Sequence, residues 1–308
     1  MAVRGLIKNM SVLVVGSVAF DTLTTPFGKR KEILGGSATY FSLSARFFSP
    51  VKLVAVVGND FPKKYIKLLE DKGIDLRGLE ISDGKTFRWE GEYDWDFNNA
   101  KTISTSLNVF ADFNPKIPSE YKNSDYVFLA NIDPDIQNKV LSQVKNPKLV
   151  ACDTMNHWIE SKQKSLIKFL KKIDIFFLND SEARQFSGEK NLVKAAKCIM
   201  KFGPKRIIIK KGEHGSLLFS RDSVFSLPAF LLEDVFDPTG AGDTFAGAVM
   251  GYLAKCDKLD DKNLRNALIY GNIMATFTVE EFGPWRLARV TKPEIEKRVK
   301  EFKRLTRF

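Results

Sequence analysis

The segment Asp237-Pro-Thr-Gly-Ala-Gly-Asp243, followed by Thr-Phe-Ala-Gly-Ala, places one carboxylate on each side of a glycine-rich turn. Pro238, Gly240 and Gly242 forbid a regular helix before Asp243, while Ala246, Ala248, Val249 and Tyr252 allow one after it. A glycine turn that runs into a helix start presents free backbone N–H groups and the positive end of the helix dipole, a geometry that binds phosphate. A carboxylate at the same point can accept the proton of an attacking hydroxyl, as phosphoryl transfer requires. The same residues could also make a tight turn with Asp243 as a helix cap. Two glycines and two aspartates packed into seven residues favour the phosphate site.

The rest of the chain reads as a scaffold for that turn. Short apolar runs at Ser11–Val15, Val51–Val57, Tyr126–Ala130, Leu149–Ala151, Ile175–Leu178 and Arg206–Ile209 have the look of buried strands. Between them, Phe41, Ala45 and Phe48, then Ile136, Val140 and Val144, then Leu166, Leu170 and Ile173 fall at helical spacing. Pro62 opens a further helix over Tyr65, Leu68 and Leu69, stopped by Gly73. Strands alternating with amphipathic helices predict an α/β fold: one doubly wound, mostly parallel, Rossmann-like sheet covered by helices on both faces. No repeat or low-complexity linker divides the chain, so residues 1–308 are expected to form a single domain.

One region breaks the rhythm. Phe87, Trp89, Gly91, Tyr93, Trp95 and Phe97 alternate with Arg88, Glu90, Glu92, Asp94 and Asp96, a period of two that predicts a half-exposed strand. Asn98-Asn99 supplies a turn, and Thr105, Leu107, Val109, Ala111 and Phe113 alternate again. This predicts an antiparallel hairpin projecting from the α/β body, with a further strand from Thr22–Ile33, so that lid strands come from about 20–34 and 86–114. The aromatic face either covers a substrate, or packs in a satellite core or against a second copy as a homodimer contact.

Asp237–Asp243 resembles the second signature, D-x-T-G-A-G-D, of the ribokinase-like (PfkB-type) carbohydrate kinase family. Other pieces follow in that family's order. Gly35-Gly36 resembles its substrate-side glycine pair, Asp21 its sugar-binding carboxylate, and Gly58-Asn59-Asp60 its G-x-D turn. Asn179-Asp-Ser-Glu182 resembles its N-x-x-E motif, Lys211-Gly212-Glu-His-Gly215 its nucleotide-loop G-x-x-G, and Asn272 a position on its helix flanking the adenine. The resemblance runs from Val12 to about Gly283 and implies a β lid and transfer of the ATP γ-phosphate to an alcohol. It implies Asp243 as general base, with the backbone of Gly240, Ala241 and Gly242 stabilising the transferring phosphate. Asp237 and Thr239 match the monovalent-cation site of many members, a potassium site.

The residues agree with this on several points. Asn179 and Glu182 follow the strand Ile175–Leu178, at a carboxyl strand edge where α/β sheets bind ligands. Their oxygens suit Mg2+, held through water. Asn-x-x-Glu is also close to a capping box, and taken alone it reads as one. Gly212 and Gly215 also suit a plain hairpin turn between Ile209 and Leu217.

The chain departs from the family pattern at the acceptor. Where sugar-binding members carry asparagine after the glycine pair, this chain has Tyr40, and Ala19 stands two residues before Asp21. Fewer polar partners for a free pentose, together with an aromatic lid, predict that a nucleoside is preferred over ribose as acceptor.

Composition excludes other classes. At 44% hydrophobic and 28% charged, the 308 residues are those of an ordinary globular protein. Cys152, Cys198 and Cys256 form no CxxC pair, apolar runs are too short to span a bilayer, and the start MAVRGLIKNM lacks a signal-peptide core, all pointing to the cytoplasm and away from membranes. Lys+Arg 48 against Asp+Glu 37 gives +11, but the basic residues are spread along the chain, which predicts no nucleic-acid partner. A G-x-G-x-x-G dinucleotide fingerprint, a P-loop, a G-x-S-x-G elbow and zinc-ligand spacing are all absent from the sequence. The remaining alternative is a non-catalytic binding or regulatory protein that keeps the kinase fold.

Overall fold

The computed structural model describes residues 10–95, 97 and 100–307. The first seven strands are β1 (Val12–Val15), β2 (Ala19–Thr25), β3 (Gly28–Gly35), β4 (Val51–Gly58), β5 (Ile74–Ser82), β6 (Arg88–Glu92) and β7 (Lys101–Ser106). They are followed by β8 (Tyr126–Leu129), β9 (Leu149–Cys152), β10 (Ile175–Asn179), β11 (Arg206–Lys210), β12 (Ser216–Phe219) and β13 (Val224–Leu227). Nine of these form one sheet in the order β13-β12-β11-β10-β9-β8-β1-β4-β5, parallel from β5 to β11 and antiparallel at the β11-β12-β13 edge.

Successive side chains of a strand point to opposite faces, and β1 shows the result. Val12 and Val14 enter one buried cluster, with Phe41, Phe245, Met250 and Phe277. Leu13 and Val15 enter the other, with Phe169, Phe176, Phe186 and Ile199. Helices Ser37–Ala45, Ala241–Cys256, Asp261–Val279 and Lys292–Leu305 cover the first face. Helices Pro134–Leu141, Gln163–Leu170, Asp180–Ser187 and Leu192–Met200 cover the second. This is the doubly wound architecture that the alternation predicts. The order of strands reverses around β1, and such a switch point opens a crevice at the carboxyl ends of the strands.

The helix Ala241–Cys256 lies unusually close to Ser37–Ala45. A Cβ at Gly247 would be 2.3 Å from the Phe41 carbonyl oxygen, and one at Gly251 2.8 Å from that of Ala45. Two glycines one turn apart therefore set the depth at which this helix, with the glycine turn at its start, sits on the body.

The smaller sheet has the order β3-β2-β6-β7, with β2 and β6 parallel and the outer pairs antiparallel. The hairpin and the added strand are as expected, but the boundaries differ. The lid strands span 19–35 and 88–106 rather than 20–34 and 86–114. The second alternating run does not continue as a strand: Asn108 adopts a left-handed φ of 50° and Asn108–Asp112 winds into a 3-10 turn. There Phe110 stacks between Phe87 and Phe113, at 5.3 and 5.1 Å, so Phe87 belongs to a satellite cluster at the base of the lid. The G-x-D turn anchors this base, because Asp60 accepts hydrogen bonds from the Thr86 amide and hydroxyl and from Arg88. The expected Asn98-Asn99 turn, Asp96 and most of the N-terminal stretch lie outside the described residues. Among the described residues no helix is long and apolar enough to cross a membrane.

Candidate active site

The glycine turn behaves as its residue types require. Gly240 takes a left-handed φ of 75°, and the helix Ala241–Cys256 starts beside it with Asp243 in its first turn. Asp237 is 1% exposed and organises the turn: one carboxylate oxygen accepts the Thr239 amide at 2.9 Å, the other the Gly283 amide at 2.9 Å. Burial nevertheless raises its pKa. Asp237 and Thr239 are the side-chain donors a monovalent cation could use at this end.

Opposite the turn, Asp21 projects from β2 and is 4% exposed. The glycine pair makes room for it. A Cβ on Gly35 would overlap the Asp21 carboxylate, and Gly36, at φ 93°, brings its backbone against the Ser17 carbonyl. Burial first, and then the charge of Asp237, push the Asp21 carboxyl up to about 8. Tyr40 forms the wall between the two. Its ring lies where a Cβ of Gly240 would stand, 2.3 Å away, and its buried hydroxyl has no hydrogen-bond partner.

The smaller sheet touches the turn at three points. The Thr25 hydroxyl donates to the Phe236 carbonyl at 3.0 Å, Phe27 packs on Phe236 at 4.8 Å, and the Thr239 hydroxyl donates to Tyr93 at 3.3 Å. The predicted aromatic face thus divides. Tyr93 reaches the turn, Trp95 and Phe97 pack around Phe27, and Phe87 leaves for the satellite cluster. Trp89 pairs with Asp21 in the parallel β2–β6 register, on the same face of the lid sheet. Its indole lies over Gly91, 2.1 Å from where a Cβ would be, and donates to Thr102 at 3.2 Å.

On the other side of the turn, strand ends supply the polar groups. Asn179 ends β10 and Lys210 ends β11, paired in register. Asn179 and Glu182 form the capping box: the Asn179 side chain accepts the Glu182 amide and Glu182 accepts the Asn179 amide, both at 2.7 Å. Burial raises Glu182 to about 7 against the lowering effect of Lys210. Asp243 is likewise raised, to about 6, by burial and restrained by Lys210. Asp153, directly after β9, is raised well above the usual carboxylate range by burial first and then by Asp243. Among the described residues no cluster of three or more His, Cys, Asp or Glu side chains makes a metal cage. The oxygens of Asn179 and Glu182 are of the kind that suits Mg2+ held mainly by water and phosphate oxygens.

The remaining predicted nucleotide residues play local roles. Gly212–His214 is the turn of the β11–β12 hairpin that Lys211 enters, and Gly215, at φ 81°, lets the strand pass 2.0 Å from the Leu227 carbonyl oxygen measured from its missing Cβ. Asn272 spends its amide on the segment after β13, donating to Pro228 at 2.6 Å and accepting from Phe230 at 3.4 Å. Sequence reasoning did not single out Lys210 and Asp153. Each had a signal, a charged residue directly after a buried apolar run at a carboxyl strand end.

Residues 8–287 match the model of the pfkB family carbohydrate kinases. A cytidine kinase of Thermococcus kodakarensis is 30% identical over 284 residues, covering 90% of this chain and 99% of that one. A nucleoside kinase of Methanothermobacter thermautotrophicus is 26% identical and covers 96% of each. In fold, the nucleoside kinase of Burkholderia thailandensis in complex with inosine superposes with a TM-score of 0.77 at 19% identity, covering 96% of this chain and 99% of that one. The family model spans most of the chain, and this protein belongs to the pfkB family of carbohydrate kinases, as a carbohydrate or nucleoside kinase.

Proposed function

We propose that this kinase transfers the γ-phosphate of ATP to a hydroxyl of a nucleoside, with Asp243 as the general base. Asp243 takes the hydroxyl proton, the freed oxygen attacks the γ-phosphorus, and the bond to the ADP oxygen breaks. The amides of Gly240 and Gly242 hold the oxygens of the transferring group, whereas the amide of Ala241, expected from the sequence to join them, donates to the Pro238 carbonyl at 3.1 Å. A carboxyl at about 6 is ionised at neutral pH yet still basic enough for this role. Mg2+, when bound with ATP, would neutralise charge on the β- and γ-phosphates, and Glu182 would hold its waters.

The observation that carries the acceptor assignment is the pairing of Trp89 with Asp21 on one face of the lid. Asp21 can accept two ribose hydroxyls, and such donors favour its ionised form. Trp89 offers a flat surface for the base, and the free Tyr40 hydroxyl offers one further partner. The names of the Thermococcus cytidine kinase and of the Methanothermobacter nucleoside kinase support the same class.

A coupled ADP-release screen over nucleosides, pentoses, hexoses, sugar phosphates and inositols tests this. At least one nucleoside is expected to exceed ribose in kcat/KM. A pentose or hexose well above every nucleoside would overturn the acceptor, and no ADP release with any alcohol would favour a binding protein.

A further inference from the structure

Lys210 has no place in the fold that packing explains. It ends β11 at the carboxyl edge of the sheet, and its ammonium lies against the glycine turn, 2.7 Å from the position of a Cβ on Gly242. Among the described residues it takes part in no ion pair. A cation at a carboxyl strand end, beside the open amides of Gly240 and Gly242, stands where an anionic ligand would be met.

Its neighbours have the same deficit. Ser216 pairs with Lys210 across β11–β12, is 2% exposed, and has no partner for its hydroxyl. Asp153 and Thr154 follow β9, and the Asp153 Oδ1 and Thr154 Oγ1 are buried without hydrogen bonds. Buried polar atoms left open are costly, and several around one point mark the place of a polar ligand. The positive charge of Lys210 also works against the burial that raises the carboxyl groups of Asp243, Asp153 and Glu182.

We propose that Lys210 is a catalytic residue that binds the γ-phosphate of ATP above Gly242 and follows it to the acceptor oxygen. This rests on the phosphoryl-transfer chemistry assigned to the glycine turn and Asp243, and is independent of the identity of the acceptor. As the bond from the γ-phosphorus to the ADP oxygen breaks and the bond to the acceptor oxygen forms, that electron pair leaves on ADP and the hydroxyl proton goes to Asp243. The ammonium stays protonated throughout and stabilises the equatorial oxygens. A lysine serves here as a point charge able to track the moving group.

The competing role is a structural one, in which Lys210 only offsets the surrounding carboxylates. Binding measurements without acceptor separate the two. With Mg2+ present, the dissociation constants of ADP and of β,γ-imido-ATP are measured for the wild type, Lys210→Met and Lys210→Arg. Loss of a charged contact to the γ-phosphate weakens imido-ATP by about 10- to 100-fold while ADP changes less than about 3-fold. Lys210→Arg is expected to recover part of the loss. In turnover, Lys210→Met moves the acidic limb of kcat/KM to higher pH, because the cation that lowers Asp243 is gone. Equal weakening of both nucleotides, or no weakening of imido-ATP, would overturn the proposal. If Lys210→Met does not fold, Lys210→Gln carries the same comparison. A wild type that binds neither nucleotide would instead remove the ATP-dependent reading, and the proposal with it.

Discussion

The carboxylate of Asp21 fills the space that a side chain at Gly35 would need: a Cβ on Gly35 would lie 1.9 Å from Asp21 Oδ2 and 2.3 Å from its Cγ. Gly35 lies outside the left-handed backbone region, so alanine there is barred by the carboxylate alone. Gly35→Ala is expected to push Asp21 out of position and leave the glycine turn intact. Loss of hydrogen bonds to a charged group, ~1.5–3 kcal/mol, corresponds to about a 10- to 100-fold rise in acceptor KM. ADP affinity, read by calorimetry on the same variant, should stay within about 2-fold; a comparable loss there would mean that the damage is general.

Asp243→Asn keeps the size of the side chain and removes the base. We expect kcat to fall by ~10²–10⁴ with nucleotide affinity nearly unchanged. In the wild type, kcat/KM should fall as pH drops through about 6, where the Asp243 carboxyl takes up a proton. Steady-state kinetics from pH 5 to 8 with a working acceptor check both. A variant that retains most of its turnover would remove Asp243 from the base role.

Trp89→Ala removes the flat surface beside Asp21. Stacking on a base contributes ~1–3 kcal/mol, so kcat/KM for the nucleoside should fall by about 5- to 150-fold. Turnover of free ribose, however slow, should change little. Equal losses for both acceptors would assign Trp89 to lid packing through Thr102 and Gly91 rather than to the base.

Asp21 also ties stability to pH. Its folded-state carboxyl is raised to about 8, above the ordinary value near 3.9, so the folded chain holds a proton that the unfolded chain has released between these limits. The stabilising contribution is complete below pH 4 and is lost as pH rises through about 8. Glu182, raised to about 7, adds in the same direction. The thermal midpoint of the ligand-free wild type is therefore expected to fall between pH 6 and pH 9, and that of Asp21→Asn to fall less. Parallel curves for the two proteins would show that Asp21 does not carry the effect.

The architecture was legible in local sequence pattern, and so were the turn and the cap on which the candidate site is built. Apolar runs such as Val51–Val57 and Ile175–Leu178 have the length and β-branched content of strands buried on both faces, and the helical spacing between them points to a parallel sheet. The glycine turn was equally legible, because Gly240 needs a positive φ and Asp243 follows at a helix start, both local properties. The capping box of Asn179 and Glu182 was local too, its partners being three residues apart.

Tertiary structure decided whatever depends on residues distant in the chain. Tyr40 meets Gly240 across two hundred residues, Asp21 meets Gly35 through a hairpin, and Thr25 of the small sheet meets Phe236, and no periodicity encodes such meetings. The alternation from Thr105 to Phe113 looked like a strand because Asn108, in a left-handed turn, does not disturb a period of two. Lys210 and Asp153 stayed hidden for a related reason. One charged residue at the end of an apolar run has no signature of its own, and its meaning comes from the groups that the parallel sheet gathers at its carboxyl edge.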